Sequence, residues 1–142
     1  MVGYDAGKRI KGRKRDVLLD ALGLLLGIVI TPRDTPEREG RKELLAQIAS
    51  WLEWPKLIWV DGGYSGSAFA ATCRDLKSKI QVEVVKRTSY NKGFAVLPRR
   101  WGVERTLGWY MQHRRLVRDF ETSESSAAAW AYIAMTRIQL NR

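Results

Sequence analysis

Lys56-Leu-Ile-Trp-Val-Asp-Gly-Gly-Tyr-Ser-Gly66 is the stretch that decides how the chain is read. Its apolar run, Leu57–Val60, lies between Pro55 and a Gly-Gly pair and is too short for a helix. β-Branched Ile58 and Val60 favour a buried pleated strand. Asp61 sits where that strand ends. Ligands of open α/β sheets gather at the carboxyl ends of strands, and Gly62 and Gly63 let a ligand or metal approach the backbone closely. Asp61 is therefore a candidate metal ligand or base. The competing reading is an Asp that merely starts a turn, since Asp-Gly is a common turn pair.

Upstream, Thr35-Pro36-Glu37 opens a helix, with Thr35 as cap, Pro36 at the first helical position, and Glu37 and Glu39 in the first turn. Leu44, Leu45, Ile48 and Leu52 make it amphipathic and carry it to Trp54-Pro55, packed on the sheet. Before it, Val17–Ala21 and Leu24–Thr31 are apolar runs separated at Leu22-Gly23, which predicts an antiparallel hairpin ended by Pro32. That hairpin's second strand, the helix and the Asp61 strand form a strand–helix–strand unit whose two strands are expected to be parallel. Downstream, Ser65 caps a helix over Ser67–Lys79 with Phe69, Cys73 and Leu76 inward. Ile80–Lys86 alternates as a half-buried edge strand, and Thr88–Gly93 is a polar loop. A long helical stretch, Arg99–Asp119, breaks near Phe120–Ser123. Ser123 caps a last helix whose apolar face is Ala127, Trp130, Ala131, Ala134 and Ile138.

The 142 residues are enough for about one domain with a real core. Hydrophobic residues at 45% and six Trp exclude the composition of an unfolded segment. Lys+Arg 25 against Asp+Glu 15 gives a net charge of +10, which points to a polyanionic partner, nucleic acid before membrane. Met1–Arg15 holds Lys8, Arg9, Lys11, Arg13, Lys14 and Arg15, spaced by Gly3, Gly7 and Gly12. It reads as an irregular, mobile, basic arm lying near phosphates, or as a solvated basic tail. The single Cys73 excludes an internal disulfide and a zinc site built on several thiolates. Met1–Arg15 lacks the apolar centre of a signal peptide, and Ala21–Ile30 is far short of a membrane span, so a cytoplasmic protein without a membrane partner is expected.

A second carboxylate lies in Arg99-Arg-Trp-Gly-Val-Glu-Arg-Thr106, where Glu104 falls one turn after Arg100, with Met111 and Arg115 on roughly the same face. An exposed Arg–Glu pair is the simple alternative, of a few tenths of a kcal/mol. Yet Trp101, Trp109 and Tyr110 make the helix too aromatic for plain surface. If it crosses the end of the Asp61 strand, the two carboxylates can share hard cations through oxygen ligands, with Arg100 and Arg115 gripping phosphates beside them. His113, the only histidine, reads as a surface residue.

Gly3-Tyr-Asp-Ala-Gly-Lys-Arg-Ile-Lys-Gly-Arg-Lys-Arg15, Val60-Asp-Gly-Gly-Tyr64 and Leu97-Pro-Arg-Arg-Trp-Gly-Val-Glu-Arg-Thr106 together resemble the C-terminal catalytic region of bacterial insertion-sequence DDE transposases of the insertion sequence five-like group. The resemblance covers nearly the whole chain and is specific because the motifs occur in order. It implies an α/β fold, a ribonuclease H-like (retroviral-integrase-like) mixed sheet flanked by helices. It also implies a catalytic set of two Asp and one Glu that binds Mg²⁺ or Mn²⁺ and cuts and rejoins DNA. On it, Asp61 matches the second catalytic Asp and Glu104 the catalytic Glu. Arg100 matches the Arg of the tyrosine–arginine–glutamate–lysine signature, whose Tyr and Lys positions hold Leu97 and Met111. The family's first Asp lies upstream of the Gly3–Arg15 motif, so a partial catalytic domain lacking its first, central strand is expected. Asp5, Asp16 and Asp20 are acids upstream of the first helix, and Asp20 could approach the site.

The implied organisation is a basic arm (1–15), sheet and catalytic helix (16–119) and a C-terminal helix (123–141) in one partial domain. Lys11, Arg13, Lys14, Arg15, Arg100 and Arg115 are the expected DNA-binding residues. Transposon ends and target DNA are the expected partners, with a homo-oligomer or the upstream half of a split transposase beside them. The rival readings are an inactive DNA-binding remnant or regulator of an intact transposase, and an unrelated basic nucleic-acid-binding α/β protein.

Overall fold

Leu25–Pro32 is apolar almost throughout, as a strand must be when both its faces are covered. The computed structural model, which describes residues 2–49, 56–61, 67–76, 80–85 and 101–141, places it between two helical layers. In chain order the elements are β1 (Gly3–Asp5), β2 (Ile10–Leu19), β3 (Leu25–Pro32), α1 (Glu37–Ala49), β4 (Leu57–Asp61), α2 (Ser67–Leu76), β5 (Gln81–Val85), α3 (Trp101–Met111), α4 (Arg114–Val117) and α5 (Glu124–Leu140). The fold is mixed α/β. β1, β2 and β3 form an antiparallel sheet, and β4 pairs with β5 in parallel.

The expected hairpin is present, with register running from Arg13 opposite Pro32 to Leu19 opposite Leu25. Leu18 pairs with Gly27 while Leu19 pairs with Leu25, so Leu26 is an extra residue in β3 and the ladder bulges there. On one face, Leu25, Ile28 and Ile30 pack with Tyr110, Leu116, Ala127, Ala131, Ala134 and Met135, joined by Val17 and Leu19 of β2. On the other, a second core joins Leu45 and Ile48 of α1, Ile58 and Val60 of β4 and Cys73 of α2, with Leu18, Leu26, Val82 and Val84 against it. Full burial of Ile28 and Ile48 is each worth about 1.5–3 kcal/mol. Gly27 faces α1 so closely that a Cβ there would lie 2.8 Å from Ile48 Cγ2.

The N-terminal segment is not an irregular arm. Residues 3–5 and 10–19 are strands, because alternation along β2 gives its side chains partners on both faces. Arg13, Arg15, Val17 and Leu19 turn toward α3–α5, while Lys14, Asp16 and Leu18 turn toward α1. The Arg13 side chain is 3% exposed, with Nε 3.3 Å from Asp119 Oδ2. Its Nη1 donates to the Ser123 carbonyl at 2.9 Å and Nη2 to the Glu121 carbonyl. A sequence-local reading cannot see these partners.

The helix expected over Arg99–Asp119 is two helices. Gln112 N–H and His113 N–H donate to the carbonyls of Trp109 and Tyr110, tightening the last turn of α3. His113 is extended (φ −90°, ψ 112°) and its carbonyl accepts Leu116 N–H, which starts α4 and brings buried Leu116 beside Tyr110. Ser123 caps α5 as expected, its hydroxyl accepting Ser126 N–H at 3.1 Å. β3 and β4, expected to be parallel strands of one strand–helix–strand unit, share no ladder among the described residues, and side chains of both enter the second core. The predicted end of α1 at Trp54-Pro55, the last residues of the Ser67–Lys79 helix and the Thr88–Gly93 loop lie outside the described residues. No described helix is long and apolar enough to cross a membrane.

Two outcomes follow from these contacts. Arg13→Ala is expected to lower the unfolding free energy by about 2–4 kcal/mol, because it strands Asp119 and two carbonyls at once; urea titration of both proteins measures this. Burial pushes the Cys73 thiol up to about 11, against about 8.5 in an unfolded chain. The unfolded state therefore binds fewer protons between these values, and the Cys73 contribution, intact below pH 8, is lost as pH rises through that window. Urea midpoints at pH 8 and pH 10.5 should fall less in Cys73→Ala than in the parent.

Candidate functional site

Alternation along β4 fixes where its terminal carboxylate goes. Ile58 and Val60 enter the second core, so Leu57, Trp59 and Asp61 emerge on the opposite face, and all three are exposed. Trp59 lies opposite Glu83 in the parallel ladder and donates its indole N–H to Glu83 Oε2 at 2.8 Å. Asp61 lies opposite Val85, at the carboxyl ends of both strands. The Gly62-Gly63 pair and Tyr64 lie outside the described residues.

Glu104 occupies the first turn of α3 and is exposed. Its position is set by its two successors. Arg105 lies over the Trp101 ring at 4.2 Å and the Trp109 ring at 4.7 Å, one helical turn to either side, and donates to the Leu22 carbonyl. Thr106, 4% exposed, places its hydroxyl 2.5 Å from the Gly23 carbonyl and 2.8 Å from that of Gly102, sharing one proton between them. Gly23 has φ 77°, and a Cβ there would lie 2.8 Å from Thr106 Oγ1. Conformation and space both require glycine at this turn.

Asp20 completes the arrangement. Its Oδ1 accepts Leu22 N–H at 2.8 Å and Leu24 N–H at 2.7 Å, an Asx turn that closes the β2–β3 hairpin. Through these bonds the Asp20 carboxylate shapes the seat on which α3 rests. Asp20, Gly23 and Thr106 were missed as placing residues for Glu104. Asp20-x-x-Gly23 spells a turn in the sequence, but nothing local says that a helix more than eighty positions away docks on it.

The basic residues divide by face. Lys11 and Arg15 are exposed, Arg15 lying over the Tyr110 ring at 5.2 Å. Burial raises the Tyr110 hydroxyl pKa, partly offset by the Arg15 charge. Lys14 is half-buried and donates to the Thr35 carbonyl at 2.6 Å. Arg13 is enclosed by Asp119, Glu121 and Ser123, so the expectation that it grips phosphates does not fit its position. Arg115 is 54% exposed, over the Trp130 ring at 4.5 Å and with Nε 3.7 Å from Glu121 Oε1. Arg100 lies outside the described residues. Lys8 and Arg9, at the β1–β2 tip, add two exposed cations.

Two exposed carboxylates at the ends of separate elements are hard oxygen donors, the ligand type of Mg²⁺ and Mn²⁺ rather than of softer metals. Among the described residues no group of three His, Cys, Asp or Glu side chains comes together as a metal site. No curated protein and no solved structure matches the chain. A family model, described as Transposase DDE domain, matches residues 2–138. That span takes in β1 through most of α5, including the strand-end aspartate and the helix-borne glutamate, and the chain belongs to the transposase DDE domain family.

Proposed function

We propose that this domain performs metal-assisted phosphoryl transfer on DNA, with Asp61 and Glu104 as its carboxylate pair. One observation carries the reading. Within a family match over residues 2–138, Asp61 ends β4 on the face away from the second core, and Glu104 stands exposed in the first turn of a helix anchored by its neighbours. An antiparallel sheet and a separate parallel strand pair packed with helices, in place of the one mixed sheet expected, leave room for a ribonuclease H-like arrangement in which carboxylates from a strand end and a helix serve one reacting phosphate. Asp61 and Glu104 would hold Mg²⁺ or Mn²⁺, which supplies Lewis-acid polarisation and a nucleophilic oxygen at neutral pH. Lys11, Arg15 and Arg115 hold the DNA backbone through phosphates, joined by Arg100. Binding of this kind is steeply salt-dependent and indifferent to sequence. Transposon ends and target DNA are the substrates.

Three of the four acids before α1 have places in the fold, and the fourth, Asp34, stands exposed in the β3–α1 turn. Asp5 is taken up by Lys8 N–H and Arg33, and Asp20 by the hairpin turn. Asp16 faces α1, with its Oδ2 2.6 Å from where a Gly40 Cβ would stand. A third carboxylate would complete the set, and the upstream half of a split transposase is one source of it. Without it the chain is a DNA-binding regulator of an intact enzyme.

The test is nicking of supercoiled plasmid in Mg²⁺ or Mn²⁺. The chain alone is expected to bind but not to nick. Co-expressed with the reading frame immediately upstream, it should nick, and Asp61→Asn or Glu104→Gln should each slow that by about 10²-fold or more, the several kcal/mol that metal assistance supplies. Nicking that survives either substitution removes these residues from the site. Binding without nicking in the co-expressed pair selects the regulator reading.

A further inference from the structure

The β1–β2 hairpin carries a strained cation that neither the carboxylate pair nor the core uses. Asp5 pairs with Ile10, and the loop between them is Ala6-Gly7-Lys8-Arg9. Arg9 has φ 52°, in the left-handed region, and is alone in this among the described non-glycine residues. A side chain with a Cβ is penalised there, and only Gly, Asn or Asp adopts it readily. Such residues persist where the surroundings over-determine them, and they gather at functional positions.

The surroundings here do so. Asp5 Oδ1 accepts Lys8 N–H at 3.0 Å, and Asp5 Oδ2 lies 3.4 Å from Arg33 Nε. Gly3 lies so close to the β3–α1 turn that a Cβ would stand 2.6 Å from Arg33 N. The loop is braced against the body of the domain. Lys8, Arg9 and Lys11 are exposed on it, whereas β2 beyond Gly12 turns Arg13 and Lys14 into the fold.

We propose that this tip is a preorganised clamp for the phosphate backbone of duplex DNA, with Lys8 and Arg9 touching phosphates and Asp5 as the positioning residue that holds the loop in shape. The inference rests on the reading of the chain as a DNA-acting protein, and it differs from a flexible basic arm in one respect that can be measured. In an arm only the sum of charges matters, so removing the Asp5 carboxylate raises affinity. In a braced clamp the same change lowers affinity, although the protein becomes more positive.

Binding of the full chain to a fluorescent 30-base-pair duplex is measured across a salt series for the parent, Arg9→Gly, Arg9→Lys, Asp5→Ala and Arg15→Ala, with urea midpoints for each. Arg9→Gly is expected to keep or raise the midpoint, because it relieves the strained φ. It should also bind threefold to tenfold more weakly, with a log–log salt slope shallower by about one. Arg9→Lys keeps the slope. Asp5→Ala should bind at least threefold more weakly. Tighter binding by Asp5→Ala, or unchanged binding by Arg9→Gly, overturns the clamp. If the parent fails to bind the duplex at low salt, the reading as a DNA-acting protein fails instead. Weakening in Arg15→Ala alone leaves that reading standing and removes the tip from it.

Discussion

β3 has no side facing water, and most of this architecture follows from that constraint. A strand covered on both faces needs two helical layers, which α1 supplies from the residues just after it and α5 from the far end of the chain. Ala127, Ala131 and Ala134 let α5 lie close on β3, where bulkier side chains would hold it off. Gly27 does the same for α1 on the other face. Because β2 is laddered to β3 over its whole apolar half, its own alternating side chains are sorted into the same two layers. The basic run Arg13-Lys14-Arg15 is thereby split, one cation enclosed, one half-buried and one exposed.

The two acids of interest belong to different parts of this frame. Asp61 is carried by the parallel β4–β5 pair, which touches the antiparallel sheet through shared apolar side chains. Glu104 is carried by α3, which rests on the β2–β3 turn through Arg105, Thr106 and the space that Gly23 leaves. Polar contacts fix Glu104 relative to the antiparallel sheet, and apolar packing relates that sheet to the strand bearing Asp61.

Much of this could be read from the sequence, wherever the determining partners are a few positions away. The Asp61 strand, the start of α1 after Pro36, the β2–β3 hairpin and the Ser123 cap all rest on local chemistry, and all are present. The failures share a cause. Glycines and cations at 7–15 look like a disordered arm until Asp119, Glu121 and Ser123 enclose Arg13. The periodicity over 99–119 looks like one helix until burial of Tyr110 and Leu116 in one core requires a break at His113. For the candidate site, residue types at strand and helix ends were legible, whereas the residues that place Glu104 lie across the chain from it.

The Arg13 clamp joins positions 110 residues apart, and this shapes how the polypeptide must be made. As synthesis proceeds, β2 and β3 emerge early, with a guanidinium that gains its companions only at residues 119–123 and an apolar face that the last helix completes. Contacts of such long sequence separation form slowly, and the waiting surface is prone to association with other chains. In a nascent chain of this kind that face stays open to solvent and to other chains until the C-terminal helix arrives.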